Sequence, residues 1–142
     1  MKSNSLDVLI TDYISSDLGE DDQHFYSSKL AILDTLGCII EASSHEDVIQ
    51  FASKNNLSLN FKNPFKNFTV NESYETISWY LTVLTRWFDY NDTFLAKEWA
   101  HPSDNFGSIY SYFYKHNDYK FNDFVNALTK AYEIQGSLCL GT

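Results

Sequence analysis

The sequence predicts an all-α protein, a multi-helix, bundle-like assembly. Three observations carry that expectation. Apolar residues return every third or fourth position through successive stretches of the chain, the period of a helix with a buried face. Asn, Pro, Gly and Asp interrupt those stretches where connections are needed. The 142 residues, 44% of them hydrophobic, contain no internal repeat, interdomain linker or low-complexity tract. Length alone therefore suggests a single domain.

The first helix is expected around Leu6, Leu9, Ile10, Tyr13 and Ile14. Residues 17–22, acidic and interrupted by Gly19, read as a connection. A longer helix over 23–42 carries two adjacent apolar lines: Tyr26, Leu30, Leu33, Gly37 and Ile40 on one, Ile32, Leu36 and Ile39 on the other. So wide a stripe calls for burial on more than one side. Gly37 costs that helix up to about 1 kcal/mol relative to Ala, and its use would be close approach of another backbone. Ser44 with Asp47 suits an N-terminal cap for a short helix containing Val48, Ile49, Phe51 and Ala52. The Asn-rich stretch 55–71 reads as a long loop, with a short extended piece at 57–61. A helix over 72–87 places Ile77, Leu81, Leu84 and Phe88 on one face, widened by Tyr74, Trp79, Tyr80 and Trp87. The polar segment 89–105 follows. Pro102 biases His101 toward an extended conformation, so no helix runs through it unbroken. Ser103 is placed to cap a helix containing Ile109, Tyr110 and Phe113. A turn at 116–118 leads to the last helix over 122–138, aligning Phe124, Leu128, Ala131, Gln135 and Leu138.

Nineteen acidic residues against ten basic give a net charge of −9, and the single Arg is Arg86. That balance argues against a nucleic-acid partner, which needs clustered Lys and Arg; the two Lys of FKNPFKNF (61–68) are too few. No apolar run approaches the roughly 20 residues of a membrane span. The N-terminus lacks the basic start and apolar run of a secretory signal, so no membrane partner and a cytoplasmic location are expected. Cys38 and Cys139 are expected as reduced, buried thiols, and two thiolates do not supply an iron–sulfur cluster. There is no Walker A, G-x-G-x-x-G, G-x-S-x-G, C-x-x-C or EF-hand pattern, and no cofactor is expected.

The chemistry-capable groups gather at Asp89, Asp92, Thr93, Lys97, Glu98, His101, Ser103 and Asp104. Asp89 and Thr93, four apart, would share a face if they lie in one helical turn. His101 would come back across that face through a loop ended by Pro102. Three uses fit. A histidine can move a proton, a Thr hydroxyl can hold a carboxylate, and an Asp can orient the imidazole or share the proton transfer. Alternatively Asp89, Asp92, His101 and Asp104 would hold a divalent metal, as in a metal-dependent hydrolase, although no metal-ligand spacing such as H-E-x-x-H supports this. The third reading is a capped polar loop without chemistry. Arg86, leading into the segment, either pairs with Asp89 or binds a carboxylate. His24, His45 and His116 are expected to be solvated, and Glu133 to make a surface or interhelix contact; Tyr132 and Gln135 lie on the same last helix.

Three blocks in order resemble the MmgE/PrpD family of 2-methylcitrate dehydratases: LAILDTLGCIIEA (30–42), RWFDYNDTFLAKEWAHPSDNFGSI (86–109) and AYEIQGSL (131–138). The resemblance implies a large helical domain plus a smaller α/β domain, in a typically homodimeric protein. It also implies dehydration of 2-methylcitrate to 2-methyl-cis-aconitate in propionate breakdown, without an iron–sulfur cluster. By residue, Asp89, Thr93 and His101 match the family's active-site Asp, Thr and His. Arg86, Asp92, Ser103, Asp104 and Asn105 match motif positions expected to bind substrate, a small tricarboxylic acid. The spacing LAKEWA (95–100) before His101 resembles the methylcitrate branch; a cis-aconitate decarboxylase-like branch is two residues shorter there.

Family members carry a further active-site Lys and His in downstream stretches without counterpart here. Residues 1–142 are therefore expected to be a partial helical domain, from a truncated, split or frameshifted gene, weak or inactive alone. The alternative is a non-catalytic helical remnant or pseudoenzyme subunit that needs a partner. Aromatics at 17% suit a larger helical core better than a small one, so this chain alone should expose large apolar patches.

Overall fold

The computed structural model describes residues 5–19, 22–55, 64–66, 68 and 72–141, with side chains of the second helix from residue 25 onward. Among the described residues the elements are six α-helices and one two-stranded hairpin. The helices are α1 (Leu6–Ser15), α2 (Asp22–Ser44), α3 (Glu46–Lys54), α4 (Tyr74–Arg86), α5 (Phe106–Lys115) and α6 (Phe121–Leu140). The hairpin joins β1 (Phe94–Leu95) to β2 (Trp99–Ala100), and short 3-10 turns lie at Pro64–Lys66 and Pro102–Asn105. The all-α expectation holds, with the hairpin as its one addition. Among the described residues no helix is long and apolar enough to cross a membrane.

Local chemistry accounts for most boundaries. Gly19 takes φ +69° and donates its N–H to the Asp17 carboxylate at 3.0 Å, closing the link after α1. Ser73 starts α4 by accepting from Thr76 N at 3.1 Å, and Gly141 stops α6 in the left-handed region at φ +71°. Neither expected serine cap forms. His45, not Ser44, precedes α3, its Nδ1 accepting from Asp47 N at 3.3 Å. Ser44 instead ends α2, where its hydroxyl donates back to Glu41 O at 2.9 Å. Ser103 caps nothing: it is wholly buried in the 3-10 turn before α5. The extended piece expected at 57–61 lies outside the described residues.

The core is built from one face of each long helix. Ile32, Ile39 and Ala42 of α2 meet Ile77, Leu81 and Leu84 of α4, Phe106 of α5, and Phe124, Val125 and Leu128 of α6. Rings fill the remaining space. Phe68 packs edge-on against Tyr80 and Tyr114, Phe106 against Phe124, and Phe113 against Phe124, with centroids 5.5–5.8 Å apart. Tyr114 also donates its phenol to Phe68 O at 2.7 Å. Cys38 and Cys139 are buried and unpaired with one another, as expected. His116 differs from the solvated residue expected: it is half-buried among Tyr74, Tyr112 and Tyr119, 3.1 Å from the Tyr74 hydroxyl.

The two apolar lines of α2 part company. Ile32 and Ile39 are buried and Leu36 half-buried, but Tyr26, Leu30, Leu33 and Ile40 are 48–65% exposed. Leu6, Leu9, Leu138 and Leu140 are exposed as well, along an apolar groove of about 650 Å³ between α1 and α6.

Candidate active site

The candidate residues fall where α4 ends and the hairpin begins. The helix stops at Arg86, and Asp89 turns into the left-handed region at φ +56°, its N–H bonded to Arg86 O at 3.1 Å. Asp is one of the few side chains that tolerate this conformation, at a cost of order 1 kcal/mol. The expected helical turn through Asp89 and Thr93 is therefore absent: residues 89–93 form a bend, and the two side chains do not share a helix face. What holds Asp89 is Arg86, whose Nη2 donates to Asp89 Oδ1 at 2.7 Å.

The hairpin does what a helical turn was expected to do. Phe94 pairs with Ala100 and Leu95 with Trp99, which brings His101 back beside Thr93. The hairpin is pinned to the end of α6, where the Glu98 N–H satisfies the otherwise unpaired carbonyl of Cys139 at 3.0 Å. Gly136 makes room for it, since a Cβ there would stand 3.1 Å from the Phe94 ring. His101 Nδ1 lies 2.7 Å from the backbone O of Asp92 and 3.4 Å from Thr93 Oγ1. A carbonyl oxygen only accepts, so Nδ1 carries the hydrogen and the neutral ring keeps Nε2 as its basic atom. Trp99 meets the imidazole edge-on at 5.4 Å.

The 3-10 turn after His101 is tied to both sides. Asp92 Oδ1 accepts from Ser103 N at 3.2 Å. Buried Asn91 donates to the wholly buried Ser103 hydroxyl at 2.7 Å. Asn105 donates to Pro102 O at 3.0 Å and to Gln135 Oε1 of α6 at 2.7 Å. Asp104 Oδ1 sits 3.9 Å from Arg86 Nε, too long for a hydrogen bond. Desolvation pushes the Asp104 carboxyl up from its ordinary value of 3.8; the charges of Arg86 and His101 oppose this, and those of Asp92 and Asp89 add to it.

Arg86 thus gathers Asp89 and Asp104, while Asp92, Thr93, His101 and Ser103 form a second group alongside. Asn105 points to α6. Asp89 is turned to Arg86 rather than to His101, its side chain is 71% exposed, and Thr93 is exposed too. The cluster is an open half-site. Among the described residues no three His, Cys, Asp or Glu side chains are grouped to hold a metal ion.

Four contributors are not among the expected site residues: Asn91, Trp99, Tyr132 and Gln135. Asn91 lies inside the DYNDT run, and Tyr132 and Gln135 inside AYEIQGSL, so both blocks held the signal. Burial, then the charge of Asp92, push the Tyr132 phenol far up, keeping it protonated beside Asp92 and Thr35.

Two predictions follow from this wiring. Asn91→Ala removes the partner of the buried Ser103 hydroxyl and should cost about 1–3 kcal/mol in urea unfolding; an unchanged midpoint would refute the clamp. Asp104 binds protons more readily folded than unfolded. Its contribution to stability therefore falls as pH rises from about 3.8 through the raised folded value. Asp104→Asn should raise the thermal midpoint at pH 7 and lose that advantage below pH 4; an equal effect at both pH values would contradict the assignment.

The chain is 28% identical to mitochondrial 2-methylcitrate dehydratase of Yarrowia lipolytica over 92% of its own length and 28% of the relative's. It is 28% identical to 2-methylcitrate dehydratase of Escherichia coli K12 over 95% of its length and 29% of that protein's. A probable 2-methylcitrate dehydratase of Saccharomyces cerevisiae is 42% identical over 40% of the chain. The chain spans less than a third of the length of these first two curated relatives. No solved structure matches it. Residues 9–142, which include most of α1, all of α2 to α6 and the whole cluster around His101, match the MmgE/PrpD N-terminal domain, and the chain belongs to that family.

Proposed function

We propose that this chain supplies half of a 2-methylcitrate dehydratase-type active site, a hydro-lyase acting on a small tricarboxylic acid. The observation that carries the reading is the juxtaposition of a histidine with a free Nε2, a Thr hydroxyl and an arginine-bound Asp in one segment of a dehydratase-family chain. Elimination breaks a C–H bond beside a carboxylate, moves its electron pair into a C=C bond and expels the adjacent hydroxyl as water. In this reading His101 Nε2 takes the carbon-bound proton, its ring fixed by the Asp92 carbonyl. Thr93 and Arg86 donate to substrate carboxylates as charge builds up there. A second acid must protonate the departing hydroxyl. Asp89 is engaged by the Arg86 guanidinium, so that acid belongs to the part of the relatives' length this chain does not span.

An open half-site admits water and leaves the substrate uncovered, conditions that weaken the electrostatic contribution. The 142-residue chain alone is accordingly expected to turn over 2-methylcitrate far more slowly than a full-length relative, followed by the absorbance of the unsaturated product. Turnover matching the full-length relative would overturn the half-site reading. Activity that appears only when the downstream portion of a relative is added would support it. A non-catalytic remnant is the second reading, favoured by the apolar surface left open on α2, and silence in both assays would establish it.

A further inference from the structure

The hairpin divides its side chains between two faces. Phe94 pairs with Ala100 and Leu95 with Trp99, and the same register sets Thr93 opposite His101. Side chains alternate along a strand, so Thr93, Leu95, Trp99 and His101 project together and Phe94 and Ala100 project the other way. The contacts agree: Thr93 Oγ1 lies 3.4 Å from the imidazole, and the Trp99 ring meets the same imidazole edge-on at 5.4 Å. The inner face does the packing, with half-buried Phe94 seated against Gly136 of α6. On the outer face Leu95 is 80% exposed and Trp99 65%. Neither side chain serves the core. Scattered exposed hydrophobic residues need no explanation, but these two are a directly opposed pair, one step of about 7 Å along the strands from Thr93 and His101.

The chemistry proposed above says what that pair can meet. In 2-methyl-cis-aconitate the methyl group sits on the new C=C bond, so in the substrate it hangs on the carbon that loses its proton. That carbon faces His101 Nε2, and the ring flanking His101 is Trp99. An alkyl group there is one bond from the reacting carbon and lies toward the apolar pair rather than toward Arg86. The carboxylates lie toward Thr93 and Arg86.

We infer that Leu95 and Trp99 form an apolar wall that receives the alkyl substituent of the substrate. The site then selects 2-alkylcitrates over citrate, and because the wall is open it takes chains longer than methyl. This inference rests on the dehydratase reading of the same segment, and its test separates the two.

The whole chain, labelled with nitrogen-15, is titrated with citrate, 2-methylcitrate, 2-ethylcitrate and 2-propylcitrate. Binding is read from the Trp99 indole signal, identified by its loss in Trp99→Phe, and from the His101 ring. The dissociation constant is expected to fall about two- to fourfold with each added carbon. Trp99→Ala combined with Leu95→Ser should flatten that series, and Trp99→Phe should keep part of it. Leu33→Ser removes an equally apolar exposed side chain from α2 and should leave the series as steep as in the parent. A parent series that is flat overturns the inference, as does one equally steep in the double variant or flattened by Leu33→Ser; citrate binding would still uphold the dehydratase reading. A series that vanishes once the downstream portion of a relative is added also overturns it, because that portion then covers the wall. If no tricarboxylic acid perturbs either signal, the dehydratase reading falls and the wall with it.

Discussion

Replacing Gly107 by Ala is expected to destabilise the fold by about 2–3 kcal/mol, near the upper end for overpacking, despite the better helix propensity of Ala. A Cβ at this position would stand 2.6 Å from Ser78 O, 2.8 Å from Thr82 Oγ1 and 3.2 Å from Thr82 N. Two of those atoms belong to the α4 backbone and have no rotamer to retreat into. The two helices would have to separate along a contact that also holds Leu81, Leu84 and Phe106 in the core. The separation would reach the site, because Thr82 Oγ1 also donates to Asp104 O at 3.4 Å. Gly37→Ala is the internal control: with open space around it, the same change in α2 should stabilise the fold by up to about 1 kcal/mol. Urea midpoints of the two variants moving in the same direction would contradict this account of both glycines.

His101→Ala is expected to lower turnover of 2-methylcitrate by about 10²–10⁴-fold in an assembly of this chain with the downstream portion of a relative. The loss should fall on kcat, with little change in unfolding midpoint, because His101 is half-buried and its ring bonds to a backbone carbonyl rather than to the core. Asp89→Asn separates charge from geometry. Asn tolerates the left-handed conformation at φ +56° as well as Asp does. Removing only the charge frees the Arg86 guanidinium and should change KM more than kcat. A His101→Ala assembly within threefold of the parent would remove His101 from the proton-transfer role. Asp89→Asn acting on kcat alone would mean that Asp89 acts on the reacting atoms directly.

Helix periodicity was a strong signal in this chain because α2, α4 and α6 each bury one face in the water-excluded core, although α1 buries no residue. Ile77, Leu81 and Leu84 line up in the sequence and are buried together. The caps were less legible. Ser44, His45 and Asp47 stand within four residues, and which of them caps α3 depends on where α2 releases the chain. Ser103 has cap chemistry in sequence, but in three dimensions its hydroxyl is claimed by Asn91 from twelve residues away. The site segment shows the same limit. Asp89 and Thr93 stand four apart, yet a left-handed residue and a short two-stranded hairpin, not a helix, bring Thr93 to His101.

The sequence by itself determined the all-α class, the places of most helices, the buried thiols and the stretch in which the polar groups meet, since these depend on local spacing and on which side chains avoid water. Tertiary structure alone decided which nitrogen of His101 is basic, which carboxylates Arg86 engages, and that Gln135 holds Asn105 from across the fold. It also decided which of the two apolar lines of α2 is covered. The physical reason is common to all four. Each depends on a directional contact or a packed surface supplied by a distant element, and spacing along the chain carries no information about which distant element will arrive.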